Sequence, residues 1–305
     1  WKPTTHWEPN YFIELPKRIR SAYIFMENVK PNEAQLVTQQ EVDYMKAEMR
    51  ALVAYYYYLM LNYYGAIPLQ LDMVDMGAPI EDLQTPQRPF DEVVDWLDQE
   101  LLEVSKLLPP YYNESAKYGR ATSVFCLAVR ARLLLFAASP LVNGNSDYAN
   151  FTNIDGEPIF NSAYDPSKWE RAAQAQKDLI DYAEGVGNGL YYEYLSNGDI
   201  DPFLSYQNML FTRYNEGNRE ILFARNEVDS WEYDKHAQPR GTGGNGGLGV
   251  TQSLVDAFFM SNGLSPIEGY NADGTPIINE ESGYIEKGFS DDREFRNTRW
   301  IEVQG

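Results

Sequence analysis

Apolar residues along this chain recur at steps of three and four over five stretches, the period of helices with one buried face. The first runs from about Pro16 to Val29, where Pro16 suits a first helical turn and Ile19, Tyr23 and Met26 share a face. The second runs from about Glu41 to Tyr64, with Val42, Met45, Met49, Leu52, Val53, Tyr56, Leu59 and Tyr63 in step. Gly65 stops it and Pro68 prevents its resumption. The third starts at Pro89 and runs to about Leu108 on a stripe of Phe90, Val93, Val94, Leu97, Leu101 and Val104. Asp91 and Glu92 sit at its positive dipole end, and Pro109-Pro110 closes it.

The fourth stretch, about Ala121 to Ala138, is apolar on two opposite faces. Val124, Ala128, Ala131 and Leu135 form one face, and Cys126, Val129, Leu133 and Phe136 the other. Such a helix belongs between two layers. Arg130 and Arg132 lie between those faces, so each must snorkel or find a carboxylate. The fifth stretch has Asp165 as N-cap and Pro166 in its first turn, with Trp169, Ala172, Ala173, Leu179 and Ile180 facing inward. Pair starts near Pro16, Pro89 and Pro166 lie about 75 residues apart, against ~34 in a regular tetratricopeptide array. The expected fold is therefore mainly α: tetratricopeptide-like stacked helical hairpins with long irregular loops and minor β content.

After about Gly185 the periodicity fades and Gly, Asn, Tyr and Pro rise. Glu220–Asn226 is the best strand candidate, and Thr251 caps a short helix reaching toward Met260. The stretch Val228–Gly249 reads as a long Gly-rich loop carrying Trp231, Tyr233 and His236.

Composition narrows the chemistry. Among 305 residues, 45 Asp and Glu against 25 Lys and Arg leave a net charge of −20, which opposes nucleic acid and simple adhesion to an anionic bilayer. The single Cys126 allows no disulfide framework and no cysteine zinc site. No run reaches the ~18 apolar residues of a membrane span. Gly241-Thr242-Gly243-Gly244-Asn245-Gly246 fits GxGxxG but lacks the preceding strand that a dinucleotide site needs. Asn197, Asp199 and Asp201 mimic a calcium loop, yet Pro202 and Asn208 stand where Gly and Glu are required. No cofactor or structural metal is expected, although an acidic loop such as Asn271–Asp273 has oxygen ligands for an adventitious calcium ion. No catalytic residues are assigned, since the only histidines are His6 and His236 and no serine occupies a GxSxG turn.

The 23 tyrosines, with 14 Phe and 6 Trp, are the outstanding feature. Trp and Tyr rings stack on the apolar C–H faces of sugars while polar neighbours take the hydroxyls. Trp231, Tyr233, His236 and Arg240 supply both kinds of group in one segment, and Trp7 and Tyr11 do so in another. These six are the candidate ligand-binding residues.

Four ordered segments resemble the SusD/RagB family of outer-membrane nutrient-binding lipoproteins. In the second helix Glu48, Arg50, Ala54, Tyr56, Tyr57, Gly65 and Pro68 match the family's pattern, with Val53 where Arg is usual. In the fourth, Arg120, Ala121, Thr122, Ala131, Arg132, Ser139 and Pro140 match. The fifth helix resembles the family's next helix, and the segment from Thr251 to Gly263 resembles its T-Q-x-L-V-D-x-F-x-M-x-N-G run, with Val250 replacing Pro.

The resemblance implies one SusD-like domain over 1–305, a scaffold over about 16–184 and a loop-rich ligand face over about 185–305. Both ends are expected to be incomplete, lacking the family's lipid-bearing Cys and its C-terminal helices. It implies a non-enzymatic protein of the cell-surface face of the outer membrane that binds an oligosaccharide and delivers it to a SusC-type TonB-dependent transporter. A peptide-binding member of the same family is the nearest alternative, and a glycoside hydrolase a more remote one.

Overall fold

The computed structural model of the protein describes residues 10–75, 77–80, 83–224 and 231–284. The chain falls into two compact units, 1–226 and 227–305.

The first unit contains the five long helices: α1 (Tyr11–Asn28), α2 (Gln39–Tyr64), α3 (Phe90–Ser105), α4 (Ser123–Ala138) and α5 (Ser167–Gly185). Each packs on its neighbour in sequence, and α4 also touches α2. The unit is thus a stack of helical hairpins. The core runs through it, from Leu15 and Ile19 of α1 through Leu61, Leu97, Leu101 and Leu133 to Ala172 and Ala175 of α5.

Local chemistry explains the helix limits. Asn10 accepts from the Ile13 N–H and starts α1 five residues before the expected first turn, so Pro16 falls inside the helix. Thr38 and Glu41 close a reciprocal capping box on α2. Gly65 ends α2 at φ 71°, and a Cβ there would come within 2.9 Å of the Phe160 ring. Beyond it, the buried Tyr57 hydroxyl donates to the Gln70 carbonyl at 2.6 Å and accepts from the Gln70 N–H at 3.0 Å, pinning the connection to α3.

The sandwiched position expected for α4 is found, between α3 and α5. The two arginines separate. Arg130 is buried and paired, whereas Arg132 is exposed, so the need for a partner falls on Arg130 alone. Helix α5 also turns differently from expectation. Ala172, Ala175 and Ala183 are buried, while Trp169, Ala173 and Ile180 face out. Small side chains let α5 approach α4 closely, so the large ones end on its outer side.

Further along the first unit, β1 (Glu193–Tyr194) pairs antiparallel with β2 (Ile200–Asp201), and α6 (Pro202–Met209) follows with Asp201 as N-cap. Asp201 is thereby used as a helix cap, not as part of a calcium loop. The expected strand at Glu220–Asn226 is not formed over 220–224; the remaining two residues lie outside the described set. Ile221, Leu222 and Phe223 instead run as irregular chain beside the 110–120 segment, where Phe223 meets Phe125 at 4.4 Å.

The second unit comprises α7 (Trp231–Ala237), α8 (Gln252–Asp256), β3 (Ile267–Tyr270) and β4 (Pro276–Ile278), the two strands antiparallel. Thr251 caps α8 as expected, through the Leu254 N–H, but the helix ends after five residues. Asn271 and Asp273 sit in the β3–β4 turn, where Asp273 accepts from the Thr275 N–H and hydroxyl.

Candidate functional site

Of the stretch expected as a loop over Val228–Gly249, the first three residues lie outside the described set and the rest is more ordered than a loop. From Trp231 to Ala237 it is helical, and its glycines fold back over the end of that helix. Asn245 N–H donates to the Lys235 carbonyl at 2.7 Å, Gly246 N–H to Gln238 at 2.9 Å, and Gly247 and Leu248 N–H both to His236 at 3.0 Å. The glycine-rich run therefore supplies the partners that a helix C-terminus lacks. Its amides face their own chain, which disposes of a phosphate-cradling role. Gly244 and Gly247 are required by close approach: a Cβ would strike the Gln238 carbonyl in one case and the His236 ring in the other.

This scaffold sorts the candidate residues. Trp231 and Tyr233 are 54% and 68% exposed. Two residues apart on a helix, they point about 200° from one another and form no shared platform. Trp231 shares its side with Lys235, whose Nζ lies 4.4 Å from the ring centre. Tyr233 shares its side with His236, three residues on. Arg240 is exposed and donates from Nε to the Asn245 carbonyl at 3.1 Å, which braces the glycine wrap.

Trp7 lies outside the described residues. Tyr11 belongs to the first unit and packs edge-on against Tyr63 of α2, with ring centres 4.9 Å apart. Burial and the neighbouring tyrosines push its phenol above the ordinary range. Its evident role is to join α1 to α2.

A second cluster of rings escapes the sequence reading. Tyr111, Tyr112 and Tyr118 of the α3–α4 connection line a cleft with Tyr214 and Phe223. Tyr118 and Tyr214 lie 5.5 Å apart at 34°, and the Arg219 guanidinium covers Tyr214 at 4.3 Å. The floor is ionic. Glu48 of α2 is buried, takes two hydrogen bonds from Arg120 at 2.7 and 2.5 Å, and accepts the Tyr112 hydroxyl at 2.8 Å. Burial, and then the bond to Glu48, pushes the Tyr112 phenol well above its usual range. The sequence holds a faint signal in the tyrosines that follow Pro109-Pro110. What hid the cleft is distance along the chain, since its walls come from 110–122 and 214–224.

Among the described residues, no three His, Cys, Asp or Glu side chains gather to hold a metal ion. Cys126 is buried in α4, and desolvation pushes its thiol up to about 12, far from a reactive thiolate. Among the described residues no helix is long and apolar enough to cross a membrane.

Comparison with known proteins agrees with the fold. Residues 1–135 match a SusD-like family described as "Starch-binding associating with outer membrane". A solved structure named BT4246 is 30% identical and superposes with a TM-score of 0.67 over 85% of this chain and 48% of its own. A SusD-like protein (BF3747) from Bacteroides fragilis NCTC 9343 is 20% identical, with a TM-score of 0.55 over 88% of this chain and 46% of its own. A SusD-like carbohydrate binding protein (BF0978) from the same strain is 17% identical, with a TM-score of 0.55 over 94% of this chain and 42% of its own. The last two likenesses concern the fold. The chain spans about half the length of these structures. Among curated proteins none matches.

Proposed function

This chain is SusD-like, and on that premise we propose that it binds a glycan at the outer membrane without transforming it and passes it to a SusC-type TonB-dependent transporter. The observation that carries the reading is the match of residues 1–135 to a family described as starch-binding and associated with the outer membrane. The chemistry of the chain supports it. Exposed Trp231 and Tyr233 offer ring faces, and His236 and Arg240 follow in the same segment as hydrogen-bonding groups. No cofactor or metal is required for such recognition. Affinity in this mode is a sum of stacking and hydrogen bonds over several sugar units, and a charge of −20 favours a neutral glycan over a polyanionic one.

Titration calorimetry of the purified chain against soluble starch and a panel of neutral oligosaccharides tests the reading. The expected result is saturable binding with no release of reducing ends, with or without divalent metal. Sustained release of product would make the protein an enzyme, and binding confined to peptides would move it to the peptide-binding branch. The transporter step is tested separately, by co-purification of the chain with a TonB-dependent channel from the native membrane.

A further inference from the structure

We propose that the tyrosine-lined cleft of the first unit is a saccharide subsite, seating one neutral sugar ring against Tyr118 and Tyr214 with Tyr111 at its rim. The proposal rests on the glycan-binding reading above and gives it a second location, independent of the candidate residues on α7.

Three observations converge on a neutral, hydroxyl-rich ligand. The first is charge. Arg120 and Lys117 already have carboxylate partners, Arg120 held bidentately by Glu48 and Lys117 lying 3.0 Å from Glu114, while the Arg219 guanidinium is engaged over the Tyr214 ring at 4.3 Å. A phosphate or sulfate would have to compete with those carboxylates, whereas a sugar hydroxyl needs only a lone pair or a shared proton.

The second observation is the surface. Tyr118 and Tyr214 are half-buried, Tyr111 is 45% exposed, and Phe223 stands at the edge, backed by Phe125. Tyrosine presents an apolar ring and a polar tip together, which suits a ligand with apolar ring faces and an equatorial belt of hydroxyls. A lipid chain would leave the polar tips of those tyrosines against hydrocarbon.

The third observation is rigidity. Glu48 comes from the middle of α2 and ties Arg120 and Tyr112 to the helical stack, so that wall of the cleft exists before ligand arrives. Arg219 lies over Tyr214, and its carbonyl accepts from the Asn188 amide at 2.9 Å, which steadies the facing wall. Preorganised rings lose little entropy on binding, which is where weak stacking contacts gain affinity.

Calorimetry with maltoheptaose and other neutral oligosaccharides, run on Tyr118→Ala, Tyr214→Ala and Tyr111→Ala, tests the cleft. Each of the first two variants is expected to weaken binding tenfold or more, Tyr118→Phe to lose a smaller part by keeping the ring without its polar tip, and dextran sulfate not to compete. Tyr111→Ala removes an exposed rim ring, so it folds even where the other variants do not, and a severalfold loss is expected. If the parent and the α7 variants show that glycans bind while all three cleft variants equal the parent, the cleft proposal falls and the glycan-binding reading stands. If the parent binds no glycan on the panel, the reading itself fails and takes the cleft with it. Competition by dextran sulfate would overturn the neutral ligand.

Discussion

Arg130 of α4 donates from Nε to Asp98 of α3 at 2.5 Å, with each side chain only about a tenth exposed. Asp98 also accepts two bonds from Arg171 of α5 at 3.0 and 2.5 Å, and Arg130 reaches Asp178 of α5 at 3.3 Å. Three consecutive helices are thus tied through one carboxylate at the centre of the stack.

Breaking that pair from one side strands a buried charge. Arg130→Ala or Asp98→Ala should lower unfolding free energy by about 3–5 kcal/mol, whereas Arg130→Met combined with Asp98→Leu should recover much of the loss. Denaturant titration checks this. The exposed Arg132, changed to Met, should stay within about 0.5 kcal/mol of the parent. An Arg132 effect larger than that of Arg130 would contradict the assignment.

On α7 the two exposed rings should act separately, because they point to different sides. Trp231→Ala and Tyr233→Ala remove side chains that contribute little to burial, so the melting temperature should hardly move. A stacking anchor lost at a binding hot spot costs ≥ about 2 kcal/mol, roughly thirtyfold in affinity. Glycan affinity measured on both single variants and the double variant would show whether the effects add. Parental affinity in all three would move the site away from α7.

The glycine wrap should not tolerate a methyl group. Gly247→Ala meets the His236 ring and Gly244→Ala meets the Gln238 backbone, and the second cannot be relieved by a side-chain rotation. Amide hydrogen exchange at Gly246, Gly247 and Leu248, protected in the parent by Gln238 and His236, should accelerate in both variants, more in Gly244→Ala. Gly249→Ala, with open space around it, is the control and should exchange as the parent does.

Alkaline conditions should weaken the first unit partly through Cys126. Burial raises its thiol from an ordinary 9.0 to about 12 in the folded chain. Between those values the unfolded chain has lost its proton and the folded chain keeps it, so stability falls as pH rises. At a pH 1.5 units above the lower value the loss is about 2 kcal/mol. Cys126→Ala should be destabilised at neutral pH by its cavity, yet lose less on going to pH 10.5. Tyr23, raised to about 12 by burial, adds a parallel loss that the substitution leaves in place. An identical pH slope in parent and variant would show that the thiol is accessible when folded.

The order and class of elements were written locally. Apolar spacing, the Thr38–Glu41 box, Gly65 and the prolines bounding α3 depend on residues within a few positions of one another, and local rules read such signals directly. The SusD-like resemblance came the same way, from ordered segments of scaffold helix. Where a local signal was overruled, the cause lay outside the segment. Asn10 capped α1 ahead of Pro16, and small alanines turned α5 toward α4 with Trp169 outward.

The candidate sites were legible only in part. Trp231 and Tyr233 could be singled out as rings in a polar stretch, but that they stand on a short helix, facing apart, follows from the glycine amides capping it, which sequence spacing does not reveal. Which of two neighbouring arginines is buried depended on the rotation of α4 against α3 and α5. The tyrosine cleft depended on bringing 110–122 against 214–224 over a buried Glu48 from α2. Periodicity within an element determines what that element is; pairings between distant elements exist only once the chain has packed, because loop lengths and side-chain volumes, not local spacing, decide which surfaces meet.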